Sequence, residues 1–206
     1  ACGSGTVRAS KIAILCNAYA DGLWPRLARS FVPVLSFQVA TEPLPAGIAP
    51  TLVPEGHGVS DTRRLLVYFR RGPGDRLMIG GRGSLRPPRA PAAFDALERM
   101  LRSLFPQIAG VRIGHRWFGR VAMTTDSQPH LHVLGDGAIA LAGCNGRGVA
   151  LFPVLGRHIA EWLIDERATA VPLSLQRRID TIPFHGMNRL YVAGATAWYR
   201  MHDWLA

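Results

Sequence analysis

Lysine is almost missing from this sequence: of 24 basic residues, Lys11 is the one lysine and the other 23 are arginines. Acidic residues are also few, 14 in all, which leaves a formal net charge of +10. Such a balance invites a phosphate-bearing partner, because a basic face releases counterions from nucleic acid. The arginines, however, are spread along the chain and gather only in pairs such as Arg63-Arg64, Arg70-Arg71 and Arg177-Arg178. No basic block alternates with aromatics as a single-strand groove requires, so no nucleic-acid partner is expected, and the preference for arginine reads as a compositional bias of the source genome. Cysteine is scarce too. Cys2, Cys16 and Cys144 are odd in number and far apart, forming neither a disulfide framework nor a CxxC metal site, which suits a reducing cytoplasm.

Other absences narrow the field. No apolar run approaches the roughly 18–20 uncharged residues of a bilayer-spanning helix, and the opening lacks a basic-then-apolar leader pattern. The expectation is a soluble, cytoplasmic protein without a transmembrane segment. There is no internal repeat and no low-complexity tract. No G-x-S-x-G elbow is present to anchor a hydrolase triad. His130 and His132, two apart on an expected strand, point to one face as a metal site could use. No Cys or acidic residue stands at a suitable local spacing to join them, so no metal is expected.

With 48% apolar and 18% charged residues, the 206-residue chain can bury a core, and disorder is excluded for the chain as a whole. Hydrophobic periodicity and turn residues predict a strand over 6–15, a polar loop over 16–22 and a short helix over 23–30. A strand with prolines at its edges follows over 31–44, then a Pro- and Gly-rich loop over 45–61. Strands over 65–70 and 76–80 are joined by a hairpin-like connection at 71–75. Phe94, Leu97, Leu101 and Leu104 mark a helix over 91–105, which Pro106 stops. A long strand is predicted over 111–123, and strands over 131–134 and 138–142 flank a Gly135-Asp136-Gly137 turn. Beyond them come a glycine-rich loop over 143–148, a helix over 149–164, a loop over 171–186 and a last helix over 191–205. The turn at Gly3-Ser4-Gly5 implies an earlier strand to pair with, so the chain reads as starting in the middle of a domain. The order suggests a sheet-and-helix substrate domain inserted into a nucleotide-binding domain, most of the latter lying outside the chain.

The stretch from Ala138 to Gly156 carries the most information. An apolar strand ends at Gly143, turns through a loop with Gly146 and Gly148, and opens a long helix. Glycines let a flat ligand approach the backbone where a Cβ would collide. The helix start presents unpaired N–H groups and partial positive charge, which favour an anion or a ring carrying developing negative charge. A tight strand-to-helix turn with no ligand explains the same spacing, and spacing alone leaves both open.

The segment 143–150 (Gly-Cys-Asn-Gly-Arg-Gly-Val-Ala), preceded by Trp-Phe-Gly-Arg-Val-Ala-Met-Thr-Thr-Asp-Ser-Gln-Pro at 117–129, resembles the C-terminal half of the flavin-dependent amine and D-amino-acid oxidoreductases. That group includes D-amino-acid oxidase, glycine oxidase and sarcosine oxidase; its γ-glutamylputrescine oxidoreductase-like subgroup is the most similar. Segments 12–19, 33–44, 61–70, 76–82 and 199–203 agree in order, so the resemblance runs over nearly the whole chain. It implies an α+β fold: a mixed, largely antiparallel sheet of a substrate-binding domain covered by helices, plus the C-terminal strand–loop–helix part of a Rossmann-like FAD-binding domain. The implied boundaries are 1–30 for a remnant of the FAD-binding domain, 31–123 for the substrate-binding domain, 124–168 for the C-terminal part of the FAD-binding domain and 169–206 for a tail and helix.

The resemblance further implies oxidation of the C–N bond of an amine or amino acid, with hydride passing to flavin N5 and water hydrolysing the imine. The cofactor carries the difficult chemistry. Gly143, Cys144, Asn145, Gly146, Arg147, Gly148 and Val149 are the implied cofactor-binding residues, the backbone at 145–149 donating toward the N1/O2 edge of the ring. Val121 and Ala122 stand where members with covalent flavin carry a cysteine, so the FAD is expected to be non-covalent, and Cys144 to pack rather than attach. The family's G-x-G-x-x-G grip on the ADP half of FAD does not occur in the sequence. The chain is therefore expected to be a truncated portion that lacks an N-terminal FAD-binding segment and is inactive alone. On the substrate side, Tyr68 and Trp117 are implied as walls and Arg82 as a bidentate carboxylate holder. Ordinary core aromatics explain Tyr68 and Trp117 equally well, a solvated surface arginine explains Arg82 somewhat better, and no catalytic side chain is assigned. A non-catalytic binding module that keeps the fold without flavin is the alternative function.

Overall fold

The computed structural model describes residues 3–135, 137–165 and 171–205, and the chain divides into two compact units. Cys2 and Asp136 of the sequence reading lie outside the described residues. The first unit comprises Ala1–Pro33 and Val121–Gly186, the second Val34–Arg120 and Met187–Ala206.

The second unit is built on a five-stranded sheet. Its strands are β2 (Val32–Thr41), β3 (Val59–Ser60), β4 (Tyr68–Gly72), β5 (Arg76–Arg82) and β6 (Ile113–Met123), in the spatial order β3-β4-β5-β2-β6; a further strand, β1, belongs to the first unit. The β3–β4, β4–β5 and β2–β5 pairs are antiparallel. Alternation decides which face is covered. Leu35, Phe37 and Val39 of β2 and Leu77 and Ile79 of β5 are buried together with Leu97 and Leu101 of helix α1 (Asp95–Leu104). Phe37 stacks on Phe94 at 4.6 Å between centroids, just before that helix. Arg102, in the last turn of α1, donates to the carbonyls of Ile108, Ala109 and Val111 at 2.8–3.0 Å, fixing the return into β6. Helix α3 (Asn188–Leu205) is tied on through Asp203, whose carboxylate accepts the Arg64 and Leu65 amides at 2.8 and 3.0 Å. These bonds hold the Asp203 carboxyl below its usual pKa.

The first unit holds a four-stranded sheet of β1 (Ile12–Ile14), β7 (His130–Gly135), β8 (Ala138–Ala142) and β9 (Leu175–Gln176), ordered β1-β8-β7-β9. The β1–β8 and β7–β9 pairs are parallel and β7–β8 is antiparallel. Helix α2 (Gly148–Ile164) lays Leu155, Ile159 and Trp162 on Leu131, Ile139 and Leu141. The opposite face packs Ile14, Ala18, Leu27, Phe31 and Ala122 against Ala140 and Ala142. With cores on both sides, β8 has no polar residue, as a strand covered twice requires.

Four expectations are corrected. The strand expected over 6–15 forms only at Ile12–Ile14, and as the outermost strand of its sheet it leaves Ile12 exposed rather than buried. The helix expected over 23–30 is a single 3-10 turn at Leu27–Arg29, because Arg26 takes a left-handed φ of 68° that no α-helix can continue through. The strand expected from 65 begins at Tyr68, since the amides of Leu65 and Val67 are taken by the side chains of Asp203 and Asp61 instead of a ladder. The loop over 171–186 contains the short strand β9.

Candidate functional site

Between β8 and α2 the chain makes a left-handed turn at three residues, with φ of 82° at Gly143, 51° at Asn145 and 85° at Gly146. Two asparagines hold it. Asn17, from the 3-10 turn after β1, accepts the Gly143 and Cys144 amides on Oδ1 at 3.1 and 3.3 Å and donates through Nδ2 to Cys144 Sγ at 3.0 Å. Asn145 accepts the Thr124 amide at 2.9 Å and donates to the Gly143 carbonyl at 2.6 Å and to Thr124 Oγ1 at 2.9 Å. The Asn145 amide goes to the Ala122 carbonyl and that of Arg147 to Cys144, at 3.0 and 2.9 Å.

What is left over defines the loop's chemistry. Among the described residues the amides of Gly146, Gly148 and Val149 have no acceptor, no side chain caps the helix and no acidic residue sits in its first turn. The helix dipole is therefore uncompensated at this end. A Cβ added at Gly146 would meet nothing within 4 Å. Val149, an apolar residue, is 95% exposed beside it. The Arg147 guanidinium turns away to donate to the Ser127 carbonyl, and Cys144 is buried.

The candidate substrate residues all lie in the second unit. Tyr68 lies flat over Gly80, where a Cβ would be 2.3–2.5 Å from its ring. Its phenol accepts from Gln38 Nε2 at 2.8 Å and shares a hydrogen bond with Ser36 Oγ at 2.9 Å. Ser36 pairs with Arg82 across the β2–β5 register, and Arg82 stands two residues beyond Gly80, so Tyr68 and Arg82 share the face that α1 does not cover. Arg82 has no hydrogen bond or ion pair among the described residues, and partial burial lowers its pKa. Gly81 and Arg82 also border a cleft of about 390 Å³ with Leu97, Met100 and Arg63. Trp117 lines a cleft of about 560 Å³ with Ala40 and Met78, residues in step with Gln38 and Gly80. The sheet thus brings Tyr68 and Arg82 together through Ser36 and sets Trp117 along its β6 side.

On β7, His130 Nε2 lies 3.0 and 3.2 Å from the Asp126 carboxylate oxygens. That bond, chiefly, pulls the Asp126 carboxyl down to about 2. His132 is fully buried with both ring nitrogens unpartnered among the described residues, and burial lowers its pKa to about 4. Among the described residues no three His, Cys, Asp or Glu side chains could hold a metal ion. No helix among them is long and apolar enough to cross a membrane.

Asn17 and Thr124 are the residues that pattern reading missed. The available signal at Asn17 was an asparagine directly after an apolar strand, the residue type that tolerates positive φ and hydrogen-bonds a neighbouring backbone. Its partners lie 126 and 127 positions away, beyond any spacing argument.

One unit thus holds a strand, a glycine turn and a helix with free N-terminal amides, and the other a sheet whose second face carries Tyr68 and Arg82. Residues 2–162 match the family DAO, FAD dependent oxidoreductase, and the chain belongs to that family. It is 32% identical over 203 residues to a probable oxidoreductase OrdL of Rhizobium meliloti (strain 1021), covering 97% of this chain and 46% of the relative. It is equally 32% identical to the gamma-glutamylputrescine oxidoreductase of Escherichia coli (strain K12), covering 97% of this chain and 47% of that protein. The chain spans about half the length of the curated relatives it matches. Its fold is similar to part of the glycine oxidase from Geobacillus kaustophilus, with a TM-score of 0.64 and 23% identity over 86% of this chain and 48% of that one.

Proposed function

We propose that the protein takes part in oxidising the C–N bond of an amine or amino acid, with a non-covalently held FAD, the first unit serving the flavin and the second the substrate. FAD supplies a hydride acceptor at flavin N5, and water hydrolyses the resulting imine. The observation that carries the reading is the set of free amides at Gly146, Gly148 and Val149 at the uncompensated mouth of α2. The fit to a flavin rests on three properties of that loop. Gly146 leaves its surroundings open, so a flat ring can come close. The free N–H groups can donate to the carbonyl and nitrogen acceptors of a pyrimidine edge. The positive end of the helix stabilises charge that develops there on reduction.

Tyr68, Arg82 and Trp117 serve the substrate. Gln38 and Ser36 fix the Tyr68 phenol, giving a rigid wall with one polar tip. Arg82, half-buried and without a counterion among the described residues, is suited to grip a carboxylate with two parallel hydrogen bonds. The name of one relative, a gamma-glutamylputrescine oxidoreductase, puts an amine among the substrates to try. The free thiols at Cys16 and Cys144 support a reducing cytoplasm as the compartment.

Flavin titration of the full-length protein, followed by anaerobic addition of candidate amines and amino acids, tests this reading. The flavin band should appear with the protein and bleach with a substrate. Gly146→Leu in the full-length protein should weaken flavin binding by about a hundredfold, since a branched side chain fills the open space, at a backbone cost set by the left-handed φ of 85°. Unchanged flavin content in that variant would remove the loop from the site.

A further inference from the structure

We propose that Asn17 is a positioning residue for the flavin-side loop, an inference that rests on the flavin reading above. Asn17 belongs to the turn after β1, and every polar atom of its carboxamide is spent on the neighbouring loop: two amides on Oδ1, the Cys144 sulfur on Nδ2. Its own backbone holds a left-handed φ of 47°, a conformation that Asn and Gly tolerate and branched residues do not. These bonds orient the first two peptide planes of the loop. The Cys144 carbonyl then accepts the Arg147 amide at 2.9 Å, closing the turn around Gly146. The free amides at 146, 148 and 149 therefore keep their direction through a chain of hydrogen bonds that begins at Asn17. Asn145 anchors the same loop separately, to Ala122 and Thr124. Removing Asn17 leaves that anchor in place and frees the Gly143–Cys144 end alone.

The test compares Asn17→Gly, which keeps the left-handed backbone and loses the side chain, with Asn17→Asp, which keeps both acceptor bonds, loses the donor to sulfur and adds a negative charge. Hydrogen exchange needs no flavin: the Gly143 and Cys144 amides should exchange about tenfold faster in Asn17→Gly and stay within about threefold of wild type in Asn17→Asp. FAD titration of the full-length protein carrying the same substitutions should show binding weaker by about tenfold in Asn17→Gly, with a displaced visible flavin band, and largely rescued in Asn17→Asp. Faster exchange with wild-type FAD affinity and spectrum would make Asn17 a staple of the fold and overturn the proposal alone. Unchanged exchange in Asn17→Gly would overturn it as well. Failure of the full-length wild-type protein to take FAD under any condition would sink the flavin reading and this proposal with it.

Discussion

The structure uses two glycines, the buried Gly80 and the exposed Gly146, in opposite ways. At Gly80 the missing side chain is already replaced: the Tyr68 ring occupies its place, with carbon and oxygen atoms 2.3–2.5 Å from where a Cβ would stand. At Gly146 nothing lies within 4 Å, and the backbone sits at a φ of 85° beside three amides with no acceptor among the described residues. Their sequence contexts already differ, Gly80 ending an expected strand and Gly146 lying in a glycine-rich loop. A filled glycine is a packing solution internal to the fold, whereas an open one at a helix mouth leaves unsatisfied donors facing free space. Exposed amides at a helix start are met by water, so the second arrangement leaves room and donors for a ligand where the first leaves neither.

The largest effect expected from this contrast is at the filled position. Gly80→Ala should destabilise the fold by about 3 kcal/mol, because Gln38 and Ser36 pin the Tyr68 ring and it has no free direction in which to move. Denaturant unfolding measures it; a loss below about 0.5 kcal/mol would mean the ring slides away and the comparison fails at its firmer end. Next in size is Asn145→Ala, which strands the Thr124 amide and the Gly143 carbonyl at once and should cost about 2 kcal/mol. If that variant melts like wild type, the loop is not held by its asparagines.

How much of this was readable beforehand differs between the two regions for a physical reason. The strand–glycine–helix run after residue 138 was visible because its signals are local: a doubly covered apolar strand, glycines, and an apolar helix. The β4–β5 hairpin and the helix that became α1 were visible likewise, by period and by Pro106. What stayed hidden depends on contacts between distant residues. Leu65 and Val67 look like strand residues, yet side chains at Asp203 and Asp61 claim their amides. Leu23 to Ser30 carries helix-forming residues, but Arg26 adopts a left-handed φ that its own side chain does not favour. Asn17 lacked any pattern because its partners come from the far end of the chain. Tyr68, Arg82 and Trp117 could be named as candidates, but only the sheet register shows that two of them adjoin through Ser36.

A third test asks whether an unpartnered polar group buried in the first unit behaves differently from the free amides on the surface of that unit. His132 is buried with no partner among the described residues, so the folded protein resists protonating it until about pH 4, whereas the unfolded chain takes the proton near its ordinary value of 6.5. The sign follows directly. Its contribution to stability is full above 6.5 and falls as pH drops from 6.5 toward 4, at up to about 1.4 kcal/mol per pH unit. Asp126 acts in a lower window: its depressed pKa stabilises the fold above its usual 3.8, an effect lost as pH falls through about 2. Thermal melting across this range should show His132→Leu losing less stability than wild type by about 2 kcal/mol at pH 5. Parallel curves would mean that His132 has a hydrogen-bonding partner.

The smallest effect on the fold is expected at the open position, and it decides the comparison. Gly146→Ala places a Cβ in empty space, so its only folding cost is the left-handed backbone, about 1 kcal/mol. That is roughly a third of the cost expected at Gly80, though both replace a glycine with an alanine. Toward FAD the order should reverse. The new methyl stands beside the free amides, where the ring would have to lie, and should weaken binding by about tenfold. Gly80→Ala, which alters the other unit, should leave the affinity of its folded fraction for FAD nearly unchanged. Equal FAD affinities in wild type and Gly146→Ala would mean that the space at this helix mouth is vacant for a reason unrelated to the cofactor.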